Sequence, residues 1–356
     1  MTMRYSTNYD IGERKRGRGI NEDSVSISVF EEGHRDGYLG QSTDDERPMN
    51  RSTAAFVLAD GAGGHDAGDA ASYIATTAVA ERLAPVAIRA ARSHPDQFDV
   101  DVDRSVLPES LGEEDIQTAV EDAILDAHRE IIRYAAASGT QSYTTVVAGV
   151  YADGHLHYGW VGDSRAYVVN AARETIARLT KDHAVVQERE DAGNIDDVEA
   201  HVHPEGNQIT RALGGSGYED PEQAAVEIDT RSVRLYAEDT VLVTSDGLVD
   251  AQTDAPDLYD EYVASDRSEA VAERIRDAVV TDDEIRDVAL GATSLDEAAR
   301  EYVSLANERG GKDNVSVLLF GDSALPVTPE SGGMPVRDAD PGVDVRDQDT
   351  VIITDN

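Results

Sequence analysis

Several apolar segments of this 356-residue chain begin or end at an aspartate. The apolar run 54–59 stops at Asp60, another run stops at Asp246, and Asp313 comes directly before a third. Glycine or asparagine follows each of these aspartates, as is usual where a chain turns tightly. Carboxylate oxygens without histidine or cysteine suit hard divalent ions such as Mg²⁺ and Mn²⁺. If the strand ends meet in the fold, the sequence predicts a divalent metal site there.

Two further acidic sites fit the same pattern. Glu22 and Asp23 open a segment that alternates apolar and polar residues, and Asp163 lies between two apolar runs. In so acidic a chain, any single aspartate is most simply explained as a solvated surface residue. Five sites at strand ends are harder to explain in that way, because clustered carboxylates repel one another unless a cation lies among them. The chain has no cysteine, which excludes disulfides, thiolate nucleophiles and cysteine-ligated zinc.

The composition is strongly acidic, with 71 acidic against 31 basic residues and a formal net charge of −40. Only Lys15, Lys181 and Lys312 are lysines, so nearly all the positive charge is arginine. The acids are spread along the chain, which favours a protein from a halophile, where molar salt screens surface repulsion. A basic partner, such as a histone or a polyamine, is the alternative. Binding to nucleic acid or to an anionic membrane is not expected.

No apolar run approaches the roughly 20 residues that span a bilayer. Residues 1–19 are polar and basic and contain no apolar stretch typical of a secretory signal. We therefore expect a cytoplasmic protein without a membrane partner, and a monomer by default.

Hydropathy periodicity predicts both strands and helices. Strands are predicted at 24–30, 54–59, 143–151, 155–161, 165–169, 240–245 and 314–320. Helices are predicted from about residue 67 to Leu83, where Pro85 would stop the helix, and at 113–137, 266–280 and 294–308. The strands at 143–169 are joined by turns of only two to four residues, which predicts an antiparallel meander.

Eight short motifs follow one another along the chain. They are Arg18-x-x-Asn21-Glu22-Asp23, Asp60-Gly61-x-Gly63-Gly64-His65-x-x-Gly68, Thr144-Thr145, Gly162-Asp163-Ser164-Arg165, Leu179-Thr180-x-Asp182-His183, Thr210-Arg211-Ala212-Leu213-Gly214, Ser245-Asp246-Gly247-Leu248 and Gly311-x-Asp313-Asn314. In this order they resemble the metal-dependent protein serine/threonine phosphatases, the PPM or type 2C family, in its prokaryotic form. The resemblance covers about residues 11–320.

The resemblance implies an α+β fold, a four-layer α-β-β-α sandwich of two antiparallel sheets flanked by helices, with a metal site at one end. Residues 1–321 would form the catalytic domain. Within it, the polar segment 184–231 would be a flap, and 31–53 and 92–112 would be insertions of unknown purpose. Residues 322–356 have too little apolar surface to offset the entropy of ordering them, which predicts an acidic disordered tail.

The resemblance also implies roles for individual residues. The implied metal ligands are acidic side chains and one backbone carbonyl: Asp60, Gly61, Asp246, Asp313, Asp23, Glu22, Asp163 and Asp250. Asp60 would bridge two Mn²⁺ or Mg²⁺ ions, and Asp163 with Asp250 would hold a third ion more weakly. Arg18 would bind the substrate phosphate through its guanidinium. His65 would act as the general acid that protonates the leaving alkoxide.

The implied activity is hydrolysis of phosphoserine and phosphothreonine on proteins by a metal-activated water, without a covalent intermediate. The partners would be phosphorylated proteins and the pathway of an opposing kinase. Three alternatives stay open: a catalytically weak member that senses phosphoproteins, a phosphatase of a small phosphorylated metabolite, and a binder of basic polymers. Intact Asp60, Asp246 and Asp313 argue against the sensor, because a pseudo-enzyme is expected to have lost at least one of them.

Overall fold

The structure is a computed structural model that describes residues 3–17, 19–30, 52–62, 67–90, 111–216, 218, 220–252, 254–330 and 337. The insertions expected at 31–53 and 92–112 lie almost entirely outside the described residues. The strands are β1 Met3–Asp10, β2 Asp23–Phe30, β3 Thr53–Asp60, β4 Ser142–Thr144, β5 Val146–Ala152, β6 His155–Val161, β7 Arg165–Asn170, β8 Thr175–Arg178, β9 Leu213–Gly215, β10 Asp229–Arg234, β11 Asp239–Thr244 and β12 Val315–Asp322. The helices are α1 Gly68–Ala90, α2 Glu113–Ser138, α3 Val185–Asp191, α4 Asp197–Val202, α5 Ala255–Ala264, α6 Glu269–Ala278, α7 Asp282–Gly291 and α8 Leu295–Glu308.

Ten of these strands form two five-stranded antiparallel sheets that pack face to face. Sheet I has the order β1-β12-β11-β7-β8, and sheet II has the order β10-β6-β5-β3-β2. The apolar layer between them contains Phe56 of β3 and Phe320 of β12, whose ring centroids are 5.4 Å apart. Helices α1 and α2 cover sheet II, and α7 and α8 cover sheet I. The predicted α+β sandwich of two antiparallel sheets between helical layers is confirmed.

The sequence of β3 is apolar without interruption because both faces of the strand are buried. Side chains of a strand alternate between its two faces. Val57 and Ala59 face the helices α1 and α2, whereas Phe56 and Leu58 face the other sheet. Both faces are therefore buried, and the strand can carry Asp60 only at its end.

Helix α2 agrees with the predicted helix at 113–137. It begins after Gly112 and ends at Gly139, whose φ of 74° is the left-handed conformation common after a helix. Its apolar residues recur at helical spacing and lie buried against sheet II: Ile116, Val120, Ile124 and Ile131. None of the helices in the described part of the chain is long and apolar enough to cross a membrane.

The expectation that Pro85 stops the first helix is wrong, because α1 continues to Ala90. A proline inside a helix leaves the carbonyl four residues earlier without its donor. Here that carbonyl belongs to Glu81, and both Glu81 and Pro85 are exposed, so water can satisfy it. Leu83 and Ala87 are fully buried on the opposite face and keep the helix docked beyond the proline.

The predicted meander is only partly correct. β5 and β6 form an antiparallel hairpin, but β6 belongs to sheet II and β7 to sheet I. Gly162 lies in the connection with a φ of 104°, which allows the chain to cross between the sheets. The predicted strand 143–151 is also divided, since β4 pairs with β9 and β5 continues separately in sheet II.

Eight elements were not predicted from hydropathy: β1, β8, β9, β10, α3, α4, α5 and α7. β1 is an edge strand of sheet I, in which only Met3 and Ser6 are buried, so its sequence shows no alternation. The segment expected to be a flap contains α3 and α4, and its C-terminal end enters sheet II as β10. Helix α4 packs on α5 and α6 in a small separate core that includes Val198, Tyr262 and Ile275.

The expectation of disorder from residue 322 onward is wrong for the first part of this segment. Asp322 belongs to β12, and the Thr328 backbone N–H donates to Glu238 over 2.8 Å. The guanidinium of Arg337 donates two hydrogen bonds to the Asp239 carboxylate, of 3.0 and 2.8 Å. These contacts are polar and long-range, so composition did not reveal them. Residues 331–336 and 338–356 lie outside the described residues.

Acid should destabilise the fold through His157, which is buried in β6. Its Nδ1 lies 2.6 Å from the Ser232 hydroxyl, and burial, together with the charge of His155, lowers its pKa from 6.5 to about 4. The unfolded chain therefore takes up a proton between about pH 6.5 and pH 4 that the folded chain does not, so the stabilisation present above pH 6.5 is lost as the pH falls. We expect this single group to remove on the order of 3 kcal/mol over that range.

Urea unfolding of the wild type and of His157→Gln between pH 7 and pH 4, in molar KCl, checks this. The loss of unfolding free energy should be smaller in His157→Gln by roughly that amount. His155→Gln removes one of the two causes of the lowered His157 pKa and leaves burial in place, so its loss of unfolding free energy should lie between those of the wild type and His157→Gln. Parallel curves for the wild type and His157→Gln would contradict the prediction.

Candidate active site

The ends of strands from both sheets meet at one end of the sandwich and bring acidic side chains together. Asp23 at the start of β2 is the cross-strand partner of Asp60 at the end of β3. In sheet I, β11 and β12 are antiparallel neighbours, so Asp246 after β11 lies beside Asp313 before β12. The two sheets are tied at this point by the Ser245 hydroxyl, which donates to the Asp23 carboxylate over 2.8 Å.

Seven of the eight predicted metal ligands line one open cleft of about 670 Å³: Glu22, Asp60, Gly61, Asp163, Asp246, Asp250 and Asp313. Asp23, the eighth, adjoins the cleft through its pairing with Asp60. Arg18 and His65 lie outside the described residues. Three basic residues without a predicted role also line the cleft: Lys15, Arg211 and Lys312.

Gly61 occupies a position where no side chain fits. Its N–H donates to the carbonyl of Glu22 over 3.1 Å. A Cβ at this residue would lie 2.3 Å from the Gly68 carbonyl oxygen and 2.9 Å from that of Glu22. The chain after Asp60 is therefore packed directly against the backbone of β2 and the start of α1.

The Thr144-Thr145 pair holds the backbone of Asp60 in place. The Thr144 hydroxyl and the Thr145 N–H both donate to the Asp60 carbonyl over 2.8 Å, and the Asp60 N–H donates to the Thr145 hydroxyl over 3.1 Å. Thr145 and Ser164 are joined through their hydroxyl oxygens, 2.7 Å apart. These bonds divide β4 from β5 and link Asp60 to the connection that carries Asp163.

Asn314 joins the first acidic motif to the last. Its side-chain oxygen accepts from the Glu22 N–H over 2.9 Å, and its amide nitrogen donates to the Ile11 carbonyl over 2.9 Å. A Cβ at Gly247 would lie only 1.9 Å from the Asn314 carbonyl oxygen. This close approach explains why glycine follows Asp246.

Residues 179–183 brace the connection between the sheets. The His183 N–H donates to the Gly162 carbonyl over 3.0 Å, and its Nδ1 accepts from the Gly162 N–H over 3.1 Å. With Nδ1 as acceptor, Nε2 carries the proton and donates to Asp229 over 3.0 Å. His183 had no predicted role within its motif, and its hydrogen bonds hold the loop that carries Asp163.

Burial and mutual repulsion disfavour ionisation of the clustered acids. Burial first, and then the charges of Asp23 and Asp246, raise the pKa of Asp60 well above its ordinary value. Burial, Asp163 and Asp313 do the same for the pKa of Asp246. Burial raises the pKa of Asp23 to about 6, and burial with neighbouring carboxylates raises that of Asp163 to about 7. A cation among these groups would relieve the repulsion.

One buried carboxylate oxygen, Oδ1 of Asp23, is suited to contact such a cation. Among the described residues, no hydrogen-bond donor reaches Oδ1 of Asp23, although this oxygen is buried. A buried acceptor without a partner is costly, and a positive ion would satisfy it. The donor set is entirely oxygen, which suits Mn²⁺ and Mg²⁺. Within the described ranges, no three histidine, aspartate or glutamate side chains are already arranged as a metal-binding group. The Lys15 ammonium lies between two of the proposed ligands, Asp313 and Glu22.

Comparison with solved structures defines the class of protein to which this sandwich and cleft belong. The Mycobacterium tuberculosis serine/threonine phosphatase PstP/Ppp is 25% identical, with a TM-score of 0.56 over 90% of this chain and 99% of that one. The catalytic domain of PstP in complex with two manganese ions is 24% identical, with a TM-score of 0.55 over 90% and 97%. The fold is therefore that of bacterial serine/threonine phosphatases.

Sequence comparison gives the family. The model of the family "Protein phosphatase 2C" matches residues 40–283. The serine/threonine phosphatase stp of Listeria welshimeri is 30% identical over 309 residues, which cover 86% of this chain and 92% of the relative. The chain belongs to the protein phosphatase 2C family. The predicted family and the predicted class of enzyme, a serine/threonine protein phosphatase, are confirmed.

Replacing Gly61 by alanine should damage the site and the fold together. The added Cβ would meet two backbone oxygens that cannot move independently, so we expect a loss of about 1–3 kcal/mol in unfolding free energy. Displacement of Asp60 should lower phosphatase activity by about 10²-fold. The activity is measured on a phosphothreonine peptide, and the stability by urea unfolding.

The control is the same substitution where space is open. Nothing lies within 4 Å of a Cβ at Gly291, which is exposed at the end of α7. Gly291→Ala should leave activity unchanged and raise stability by at most about 1 kcal/mol through helix propensity. Wild-type activity in Gly61→Ala would contradict the packing argument.

Proposed function

We propose that this protein hydrolyses phosphoserine and phosphothreonine on proteins with two Mn²⁺ or Mg²⁺ ions held in the acidic cleft. The observation that carries the proposal is the convergence of carboxylates from both sheets around Asp60, with a buried oxygen of Asp23 that lacks a donor. The two manganese ions in the related PstP catalytic domain support it.

The proposed ligands divide by their place in the fold. Asp60, at the end of β3 in sheet II, would contact both ions, and the Gly61 carbonyl would contact one of them. Asp246 and Asp313, at the ends of strands in sheet I, would hold the other ion. Glu22 and Asp23 would act directly or through water. A third, weaker site would use two acids on the side of the cleft near α3 and α4: Asp163 and Asp250. Bound there, divalent ions supply an activated water and neutralise charge on the phosphoryl oxygens.

Two residues outside the described ranges complete the proposed machinery. Arg18, in the motif that ends at Glu22 and Asp23, would bind the phosphate with its planar guanidinium. His65, shortly after Asp60 in sequence, would donate a proton to the serine or threonine oxygen as it leaves. We expect no covalent phospho-enzyme, because the chain has no cysteine and a water bound in the cleft would attack phosphorus directly.

The cleft is open rather than enclosed, which favours a phosphorylated side chain on a protein over a small phosphorylated metabolite. We further propose that the enzyme acts as a monomer in the cytoplasm, in signalling opposite a kinase. The net charge of −40 and the scarcity of lysine support a halophilic setting, in which molar salt screens the acidic surface.

Removing one proposed ligand should strongly reduce metal-dependent hydrolysis. Asp246→Asn keeps the size of the side chain but removes its charge, and we expect activity on a phosphothreonine peptide in molar KCl to fall by about 10²-fold or more. Wild type should be active with Mn²⁺ or Mg²⁺ and inactive with EDTA. Asp257→Asn, the same change at an exposed position of α5, should match the wild type.

The outcomes separate the alternatives. A folded wild type that binds metal and phosphopeptide without turnover would make the chain a sensor rather than an enzyme. Turnover of small phosphate esters with none of phosphopeptides would indicate a metabolite phosphatase. Activity that survives both EDTA and Asp246→Asn would refute the proposed metal site.

A further inference from the structure

The acidic cleft contains two of the three lysines of the chain. Lys15 and Lys312 both line it, whereas Lys181 pairs with Asp191 on α3. In a chain that carries nearly all its positive charge as arginine, this placement is not explained by general surface composition. The proposed hydrolysis assigns no role to either cleft lysine.

Lys15 makes direct contact with two of the proposed metal ligands. Its ammonium donates a hydrogen bond to Oδ1 of Asp313 and lies 3.8 Å from Oε2 of Glu22. The three groups are partly shielded from solvent, with side-chain exposures of 26% for Lys15, 41% for Asp313 and 16% for Glu22. An ion pair of this kind, with a charge-assisted hydrogen bond, is stronger than an isolated surface pair.

The backbone that carries Lys15 is itself fixed beside Asp313. The Lys15 N–H donates to the Gly12 carbonyl over 3.1 Å, and its carbonyl accepts from the Gly19 N–H over 2.9 Å. A Cβ at Gly12 would lie 2.2 Å from the Asp313 carbonyl oxygen, so this loop packs directly on the chain before β12. The ammonium therefore reaches the carboxylates from a short, anchored tether.

We propose that Lys15 is a built-in counter-cation that competes with the divalent ion for Asp313 and Glu22, and so sets the metal affinity of the cleft. This inference rests on the proposed function, because it takes both acids as metal ligands. A carboxylate oxygen that accepts from an ammonium has less lone-pair density left for a metal ion, and the two positive charges repel at close range. Lys15 therefore stabilises the metal-free protein and opposes binding of the metal.

Lys312 provides a matched control. It lines the same cleft and carries the same charge, but its ammonium donates to the side-chain oxygen of Asn207 over 3.0 Å. Removing Lys312 takes away a positive charge that does not contact Asp313 or Glu22. Its effect on the electrostatic potential at those carboxylates acts over a longer distance, and molar salt screens it. Removing Lys15 also removes its direct contacts with the carboxylates of Asp313 and Glu22. Screening by salt does not reproduce the loss of these contacts.

The experiment is isothermal titration of the full chain with Mn²⁺, in molar KCl, for the wild type, Lys15→Met, Lys15→Arg and Lys312→Met. Lys15→Met should bind Mn²⁺ about tenfold more tightly, equivalent to about 1.4 kcal/mol. Lys15→Arg keeps the positive charge and should stay within about threefold of the wild type, as should Lys312→Met. In EDTA, the melting temperature of Lys15→Met should fall below that of the wild type, and saturating Mn²⁺ should reverse this order.

Results that differ from these expected Mn²⁺ affinities would overturn the inference. Equal tightening in Lys15→Met and Lys312→Met would show an effect of net charge alone, and unchanged or weaker binding in Lys15→Met would show no competition. If Lys15→Met does not fold, Lys15→Gln replaces it. Glutamine keeps a hydrogen-bond donor without the charge, so this variant should also bind Mn²⁺ more tightly than the wild type. Wild type that binds no Mn²⁺, or whose binding survives Asp60→Asn, would refute the metal site itself and the inference with it.

Discussion

Repulsion among carboxylates at one end of the sandwich is the constraint on which the rest of the structure depends. Asp60 and Asp246 come from different sheets, and burial together with neighbouring carboxylates raises the pKa of both. Such an arrangement is unfavourable for the fold alone. The protein keeps these acids close by fixing their backbones, and their charges are then available to bind cations.

Most of that fixation is done by short polar and glycine contacts rather than by apolar packing. Thr144 and Thr145 hold the backbone of Asp60, and Ser245 ties Asp23 to the other sheet. Asn314 and the close approach of Gly247 connect the ends of sheet I to the first acidic motif. The hydrophobic layer between the sheets sets the distance between them, and these hydrogen bonds set the orientation of the acids.

Several arginines pair with buried acids. Arg165 and Arg178 both bind Asp182 and lower its pKa although the carboxyl is buried. Arg337 and Asp239 form a buried pair near the start of β11, whereas Asp246 lies beyond the end of that strand. Local pairing of this kind matters in so acidic a protein, because each buried charge without a partner would destabilise the fold.

The sequence by itself determined the class of fold, the family and the residue types of the site, because ordered motifs and the buried pattern of β3 and α2 are local properties. Tertiary structure decided the contacts between distant residues. It placed β6 and β7 in different sheets, carried α1 past Pro85 on the packing of its buried face, and brought Arg337 onto Asp239. It also set Lys15 against Asp313, 298 residues away. Hydropathy records which face of a segment is buried, whereas a partner that lies far along the chain is chosen only when the sheets and loops pack together.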